Sequence, residues 1–501
     1  MQLKIQKGIN DNYIVKGSFA NDEKTILASL RNFIQLDWKK DKALIFIDSD
    51  SNPIFSNDFL LTLINGLGKD AISHYSVINS SELIIPKSVN SSVKSWSNQQ
   101  DFILGFHANH YENSMILVLG IDEFMVNKVA DLLSANITKM SMQVDLDALT
   151  HNLNYYKRCI APSTKIMAMI KASGYGHGIV EVAHHLKNKV EYFGVAYLNE
   201  GIILRKQGIS TPIMVMNSSA NEFELYHMYH LDPEIYSLNL LLKLKEYLEE
   251  KQSSLNIHLE FDTGMNRLGF KEHEIEQVIQ LIKNSKYIHV KSMYSHMACA
   301  EDSTEDSFNK SQMKDFDKIS AQLESELNIG AITHIRNSAG TLRYPDSPTN
   351  MVRLGIGLYG IDTNNLFQGK LKNVSVWKTV ISQIRRVNEG ETVGYNRSFK
   401  AVNNMVIATI AIGYADGFKR HFSNGKGSVL INGQLAPVVG NVNMDMTMVD
   451  VTTINAKEGD EVIIYNDELS VSALAKNSNT IAYEIFTGIG ERVKREYVFE
   501  F

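Results

Sequence analysis

The chain has 501 residues, is 44% hydrophobic and 21% charged, and carries a net charge of −6. That length exceeds one ordinary domain, and the composition is that of a globular protein. The charge gives no basis for a nucleic-acid or anionic-membrane partner, and no apolar run is long enough to span a bilayer. The start, "MQLKIQKGINDNY", has no apolar signal core, so a cytoplasmic protein is expected. Cys159 and Cys299 are the only cysteines and lack metal-type spacing, which predicts two plain thiols.

Three zones follow one another. Residues 1–140 mix strand-like runs, "ALIFI" (Ala43–Ile47), "DFILGF" and "MILVLG" (Met115–Gly120), with a helix-like "DEKTILASLRNFIQL". Strands alternating with helices predict a small α/β layer domain of Rossmann-like type. Tracts such as "SVNSSVKSWSNQQ" read as loops.

Residues 141–375 open on "MSMQVDLDALTHNLNYYK", a strand leading to Asp147 as a helix N-cap, with Leu149, Leu153 and Tyr156 at helical spacing. Short buried strands then recur: "KIMAMIKA", "YFGVAY", "PIMVMN", "IHLEFD", "HVKSMYSHM", "THIRNSA" and "MVRLGIGLYG". About eight strand–helix units in roughly 230 residues is the size of a (β/α)8 barrel, the TIM barrel. Residues 376–501 alternate strands with turns and read as a mostly β C-terminal domain.

In such a barrel, chemistry sits at the C-terminal ends of the strands. Lys171 is placed there, in "IMAMIKASGYGHG". A partly desolvated lysine loses its proton more easily and then attacks an aldehyde; a buried stem with its head in water is the plainer alternative. Tyr175 follows among Gly174, Gly176 and Gly178, which allow close approach to a ligand. Ser338, Gly355 and Ile356 end two late strands, where barrels often bind phosphate. A lysine facing a phosphate cradle points to pyridoxal phosphate, and Arg353 is near enough in sequence to reach its ring.

Eight stretches taken in order, "MIKASGYGHG", "FDTGMNRLGF", "YSHMACAED", "RNSAG", "MVRLGIGLYG", "GETVGYN", "IAIGYADGF" and "AYEIF", resemble the pyridoxal-phosphate alanine racemase family over about residues 141–501. The resemblance implies pyridoxal 5'-phosphate as cofactor and a homodimer that shares its active sites. It implies that Lys171 binds the cofactor and acts as base on one face of the substrate, with Tyr395 as base on the other. It also implies that Arg353 faces the pyridine nitrogen and that Tyr175, Ser338, Gly355, Ile356 and Tyr483 hold the phosphate. Arg267 would touch the cofactor and substrate, His296 would support the site, and Met444 would meet the substrate carboxylate. Two bases on opposite faces exchange an α-proton without turning the substrate. Decarboxylation, a different amino acid, and non-catalytic cofactor binding are the competing activities; Tyr395 and the β domain favour racemisation.

Some positions depart from the family. Glu260 stands where many members have a carbamylated lysine, so it is expected to pair with Arg267 and to free activity from dissolved carbon dioxide. Asn441 stands where arginine is common, and Ser173 replaces an Asp or Asn. The zone from Gly17 resembles the C-terminal domain of a Mur ligase, which is fused to this racemase in some bacteria. A ligase needs a P-loop, and "GLGKD" (Gly66–Asp70) has neither its spacing nor its hydroxyl residue, so no ligase activity is expected. His227 and His230, like the pair His184 and His185, lack a third ligand and read as helix surface. His177 is either a turn residue or a site residue, and Asp416 and Asp445 are either turn residues or site residues.

Overall fold

The structure, a computed structural model, describes residues 2–17, 23–36, 38, 40–47, 72–78, 92–96, 101, 102, 105, 111–120, 123–134, 138–363 and 369–500. It divides into two compact units. One comprises Met1–Asp147, Ser375–Ile481 and Gly488–Phe501; the other comprises Ala148–Val374 and Ala482–Thr487.

The first unit is built on one sheet of 14 strands. At one end lie five parallel strands, in the order Tyr13–Gly17, Ser114–Gly120, Asp41–Ile47, His74–Ile78 and Ser92–Trp96. Alternate residues Ala43, Ile45 and Ile47, with Ile116 and Val118, bury one face. Val126, Val129, Ala130 and Leu133 of the helix Glu123–Leu133 cover it at helical spacing. The strand Gln2–Lys7 pairs antiparallel with Tyr13–Gly17 on one side and with the last strand, Lys494–Glu500, on the other. Backbone hydrogen bonds therefore join the two ends of the chain within a single sheet. Lys16, buried at this seam, donates to Asn127 Oδ1 at 3.2 Å and lies 3.9 Å from Glu496. Burial alone would raise the Glu496 carboxyl, yet Lys16 and Lys494 hold it below its ordinary value.

Beyond Lys494–Glu500 the sheet continues through Ser141–Asp145 and the long strand Ser375–Val387 into the C-terminal strands. Val393, Ile407, Val439 and Met448 form a small core there. This part is mostly β, as the alternating pattern predicts.

Three readings change in detail. The "SVNSSVKSWSNQQ" tract contains the strand Ser92–Trp96, which sits at the sheet edge; an edge strand is held by its backbone and needs no apolar alternation. In "DFILGF" the described residues Asp101, Phe102 and Gly105 are helical, and Phe102 meets Trp96 edge-on with ring centroids 5.7 Å apart. Asp147 lies in the first turn of the helix Leu146–Arg158 and is not its N-cap, because the helix starts one residue earlier. Its position still suits the positive helix end. "GLGKD" lies outside the described residues.

The second unit is an eight-stranded parallel sheet in sequential order: Lys165–Met169, Tyr192–Val195, Ile213–Val215, Asp232–Ile235, Leu255–Glu260, Ile288–Tyr294, Ile332–His334 and Met351–Leu354. The last strand pairs with the first, and Asn350 N–H and Arg353 N–H donate to Thr333 O at 3.1 Å and Arg336 O at 3.0 Å. The sheet thus comes round on itself as a near-closed barrel. Its fourth strand, "DPEI", was absent from the seven read off the sequence, because Pro233 removes a ladder donor and the run is short. Leu149, Leu153 and Tyr156 are buried, as their spacing predicts.

Candidate active site

Lys171 directly follows the first barrel strand, at its C-terminal end. The chain then makes a left-handed turn. Ala172, Ser173, Gly174 and Tyr175 have φ of 52°, 55°, 62° and 54°. Left-handed backbone costs about 1–2 kcal/mol per non-glycine residue, so the surroundings must hold it. Ala172 N–H donates to Glu200 Oε1 at 2.7 Å, and Gly174, Gly176 and Gly178 N–H close onto Ile170, Ala172 and Ser173 carbonyls at 2.8–2.9 Å. Gly176 is required here: a Cβ would lie 2.1 Å from the Phe486 carbonyl oxygen. His177 packs against Tyr359 and Phe486 and contacts Tyr175 O at 2.9 Å, so it braces this turn and does not line the site.

A cavity of about 330 Å³ opens beside the turn. Its lining includes Lys171, Tyr175, Arg267, His296, Ser338, Arg353, Gly355, Ile356 and Tyr483. Nine of the residues named from sequence thus surround one space. Burial lowers the Lys171 ammonium from its ordinary value, and Arg267 and Arg353 push it further down. His296 is driven well below the ordinary imidazole range by burial and by Arg353, Arg267 and Lys171. It is therefore neutral.

Ser338 Oγ accepts from Gly355 N–H at 2.9 Å and from Gly357 N–H at 3.4 Å, drawing the last two barrel loops together. A Cβ on Gly355 would come within 2.6 Å of the Tyr175 hydroxyl. Hydroxyls and backbone amides on that side and an amine on the other fit a phosphate-bearing aldehyde of pyridoxal type.

Arg353 is buried and nearly saturated. Its Nη1 donates to His334 Nδ1 at 2.7 Å and to His334 O at 3.2 Å. Its Nη2 donates to Ser295 O at 2.8 Å and meets His296 Nδ1 at 3.1 Å. Nε–H is the donor left for a ring in the cavity.

The expected pair between Glu260 and Arg267 does not form. Glu260 is 3% exposed, whereas Arg267 sits on the outer loop after the fifth strand. Glu260 is hydrogen-bonded to the Glu234 carboxyl, and Arg267 acts on it only through space. Burial, then this second carboxyl, pushes Glu260 up to about 10, so it carries a proton at neutral pH. Glu234 accepts from Asn217 N–H at 2.8 Å and from the Tyr294 hydroxyl. Glu234, Glu200 and His334 all escaped the sequence reading. For Glu234 and His334 the available signal was a polar residue within an otherwise buried strand; Glu200 lies in the first turn of the helix Leu198–Lys206 and carried no such signal.

Tyr395 and Met444 belong to the first unit and are 72% and 53% exposed. Gly394, at φ 77°, and Asn396, at φ 57°, set the short turn that presents Tyr395. Asn441 Nδ2 donates to Tyr395 O at 3.4 Å, so its side chain supports the tyrosine loop. Asp416 and Asp445 clamp Arg492 at 2.7 and 2.9 Å, a structural role. No group of metal-ligating residues occurs among the described residues.

An amine-lined cavity at a barrel mouth, with a hydroxyl-and-amide cradle opposite, defines a barrel enzyme of the pyridoxal-phosphate class. Residues 144–363 match the family described as alanine racemase, N-terminal domain, and residues 374–497 match alanine racemase, C-terminal domain. "Alanine racemase 2" of Bacillus subtilis (strain 168) is 36% identical over 372 residues, covering 71% of this chain and 94% of that one. The structure of the alanine racemase of Clostridium difficile 630 superposes with a TM-score of 0.68 at 35% identity, covering 72% of this chain and 96% of that one. The alanine racemase from Bartonella henselae, whose structure has covalently bound pyridoxal phosphate, gives 0.66 at 29% identity, covering 72% of this chain and 99% of that one. The chain belongs to the alanine racemase family.

The carboxyl pair sets a pH dependence. The folded protein keeps a proton on Glu260 that the unfolded chain loses above its ordinary value of 4.5, so this group costs more stability as pH rises toward about 10. Glu260→Gln, which mimics the protonated acid, should melt at or above the parent's midpoint, with a gap that widens from about pH 6 to pH 9. A gap that closes over that range would mean Glu260 is ionised.

Proposed function

We propose that this chain is an alanine racemase that interconverts L- and D-alanine with pyridoxal 5'-phosphate. The observation that carries the reading is Lys171, a desolvated amine beside two guanidinium groups in a cavity that ends in a Ser338–Gly355 cradle. Lys171 holds the cofactor and exchanges a proton on one face of the substrate. Tyr175, Ser338, Gly355, Ile356 and Tyr483 bind the phosphate, and Arg353 gives its remaining Nε–H to the ring nitrogen. The bound cofactor supplies an electron sink that makes the α-proton labile. Arg353, which cannot hand over a proton, would leave the ring nitrogen unprotonated and so would limit side reactions. Arg267 approaches both cofactor and substrate, and Met444 the substrate carboxylate.

The opposite face needs a second base, and Tyr395 serves as it. Its exposure, together with that of Met444, supports a homodimer in which Tyr395 of the partner subunit completes each site. Protonated Glu260 bears no negative charge like that of a carbamate, and activity needs no dissolved carbon dioxide. D-Alanine made in the cytoplasm would feed peptidoglycan synthesis.

Residues 1–140 are read as a remnant of a Mur ligase C-terminal domain. Five parallel strands with one antiparallel neighbour support a Rossmann-like layer. Incubation with ATP, D-alanyl-D-alanine and a cell-wall peptide precursor should release no ADP; release would overturn this reading.

The racemase reading is tested with L-alanine in deuterated water. The product D-alanine should carry deuterium at Cα. Tyr395→Phe should slow turnover by about 10²–10⁴-fold, the range for loss of one acid–base group. Undiminished turnover in that variant would remove the two-base assignment.

A further inference from the structure

The barrel interior holds a file of polar side chains that leads to Arg353 and that the racemase assignment does not otherwise use. Successive strands present Asp232, His258, Ser292, His334 and Arg353. Arg353 Nη1 is 2.7 Å from His334 Nδ1; His334 Nε2 is 2.8 Å from Ser292 Oγ; Ser292 Oγ is 2.6 Å from His258 Nδ1. His258 Nε2 then faces Asp232 Oδ2 at 3.8 Å.

The proton positions in this file are set from its Arg353 end. A guanidinium only donates, so His334 Nδ1 must accept, and the proton of this neutral ring lies on Nε2. That N–H donates to Ser292. The serine hydroxyl then has its own proton to give, and His258 Nδ1 is the acceptor within reach. His258 Nε2 faces Asp232 Oδ2 beyond hydrogen-bond reach, so the hydrogen-bonded file ends at His258. Every hydrogen bond in the file donates in one direction, from Arg353 through His334 and Ser292 to His258.

Packing holds the rings in this order. Tyr294 stacks on His334 with centroids 4.9 Å apart and planes 4° from parallel, and Tyr192 meets His258 edge-on at 5.8 Å. The Arg353 guanidinium carbon lies 4.9 Å from the Tyr294 ring centre. Burial of His334 also keeps its ring neutral, well below the ordinary imidazole range. The far end is wetter: the Asp232 side chain is 12% exposed and lines a separate cavity with His227, His230 and His289. His227 and His230 are exposed, as the surface reading expects, and border this cavity.

We propose that Ser292 and His258 are positioning residues for Arg353, fixing the His334 tautomer and with it the guanidinium that donates to the cofactor ring nitrogen. The inference rests on the placement of Arg353 at that nitrogen. If Ser292 Oγ is removed, the His334 Nε2 proton loses its acceptor. The ring can then carry its proton on Nδ1, where it opposes the Arg353 donor and displaces the guanidinium.

The test is the nitrogen resonance of holoenzyme loaded with ring-¹⁵N pyridoxal phosphate, read on the parent and three variants. Arg353→Lys should move the signal; if it does not, the placement of Arg353 itself fails. Ser292→Ala should move it downfield, the direction a pyridine nitrogen takes when a donated hydrogen bond weakens. It should do so with unchanged circular dichroism and lower kcat at an unchanged KM for alanine. Ser292→Thr, which keeps the hydroxyl, should restore the parent signal. A parent-like signal in Ser292→Ala, beside a moved one in Arg353→Lys, overturns the positioning file and leaves the Arg353 placement standing. A moved signal in Ser292→Thr equal to that of Ser292→Ala would also overturn it, since the hydroxyl would then not matter.

Discussion

An amine taken out of water beside two guanidinium groups sets the terms for the whole site. Burial makes the Lys171 ammonium costly, and Arg267 and Arg353 make it costlier still, against a smaller opposing pull from Glu200 and Glu234. A neutral amine is the form that joins an aldehyde and accepts a proton, so the energetics of burial and the chemistry of the family point the same way. The fold meets this constraint by placing Lys171 at a strand end and following it with a left-handed turn. That turn is held by Glu200 and by glycines that leave room for Phe486.

The same logic extends into the barrel. Most barrels of this type are filled with branched apolar side chains. Here the strands from Asp232 to Arg353 carry carboxyls, imidazoles and hydroxyls at alternate, inward positions, and hydrogen bonds join His258, Ser292, His334 and Arg353 in turn. Buried polar groups demand partners, which makes such an interior unforgiving but well defined. It fixes Arg353 from behind and leaves the guanidinium one donor for the cavity. The Glu234–Glu260 pair solves a related problem with a proton: two carboxyls side by side cannot both be charged, so one stays neutral. That is why the substitution at Glu260 does not reproduce an anion next to Arg267.

Much of this was legible in the sequence, for identifiable reasons. The barrel and the β-rich C-terminal part follow from short apolar runs and their spacing, and most of the nine site residues fall together because they lie at or just after the C-terminal ends of barrel strands, Tyr483 being supplied by the helix Ala482–Thr487. What escaped were features that periodicity does not encode. Pro233 disguised a short strand, and the edge strand Ser92–Trp96 looked like loop because backbone pairing alone holds it. The partner of Glu260 came from a neighbouring strand that the sequence reading lacked. Continuity of the sheet from Gln2–Lys7 to Lys494–Glu500 joins segments at opposite ends of the chain, and no local pattern announces such a contact.

The account is tested most directly by the acidity of Lys171. In cofactor-free protein, the rate at which pyridoxal phosphate becomes covalently attached, fixed with borohydride and read at Lys171 by peptide mapping, should rise with pH. It should level off at a midpoint below 10.5, the ordinary lysine value. A midpoint at or above 10.5 would contradict an amine made more acidic by burial and by its cationic neighbours.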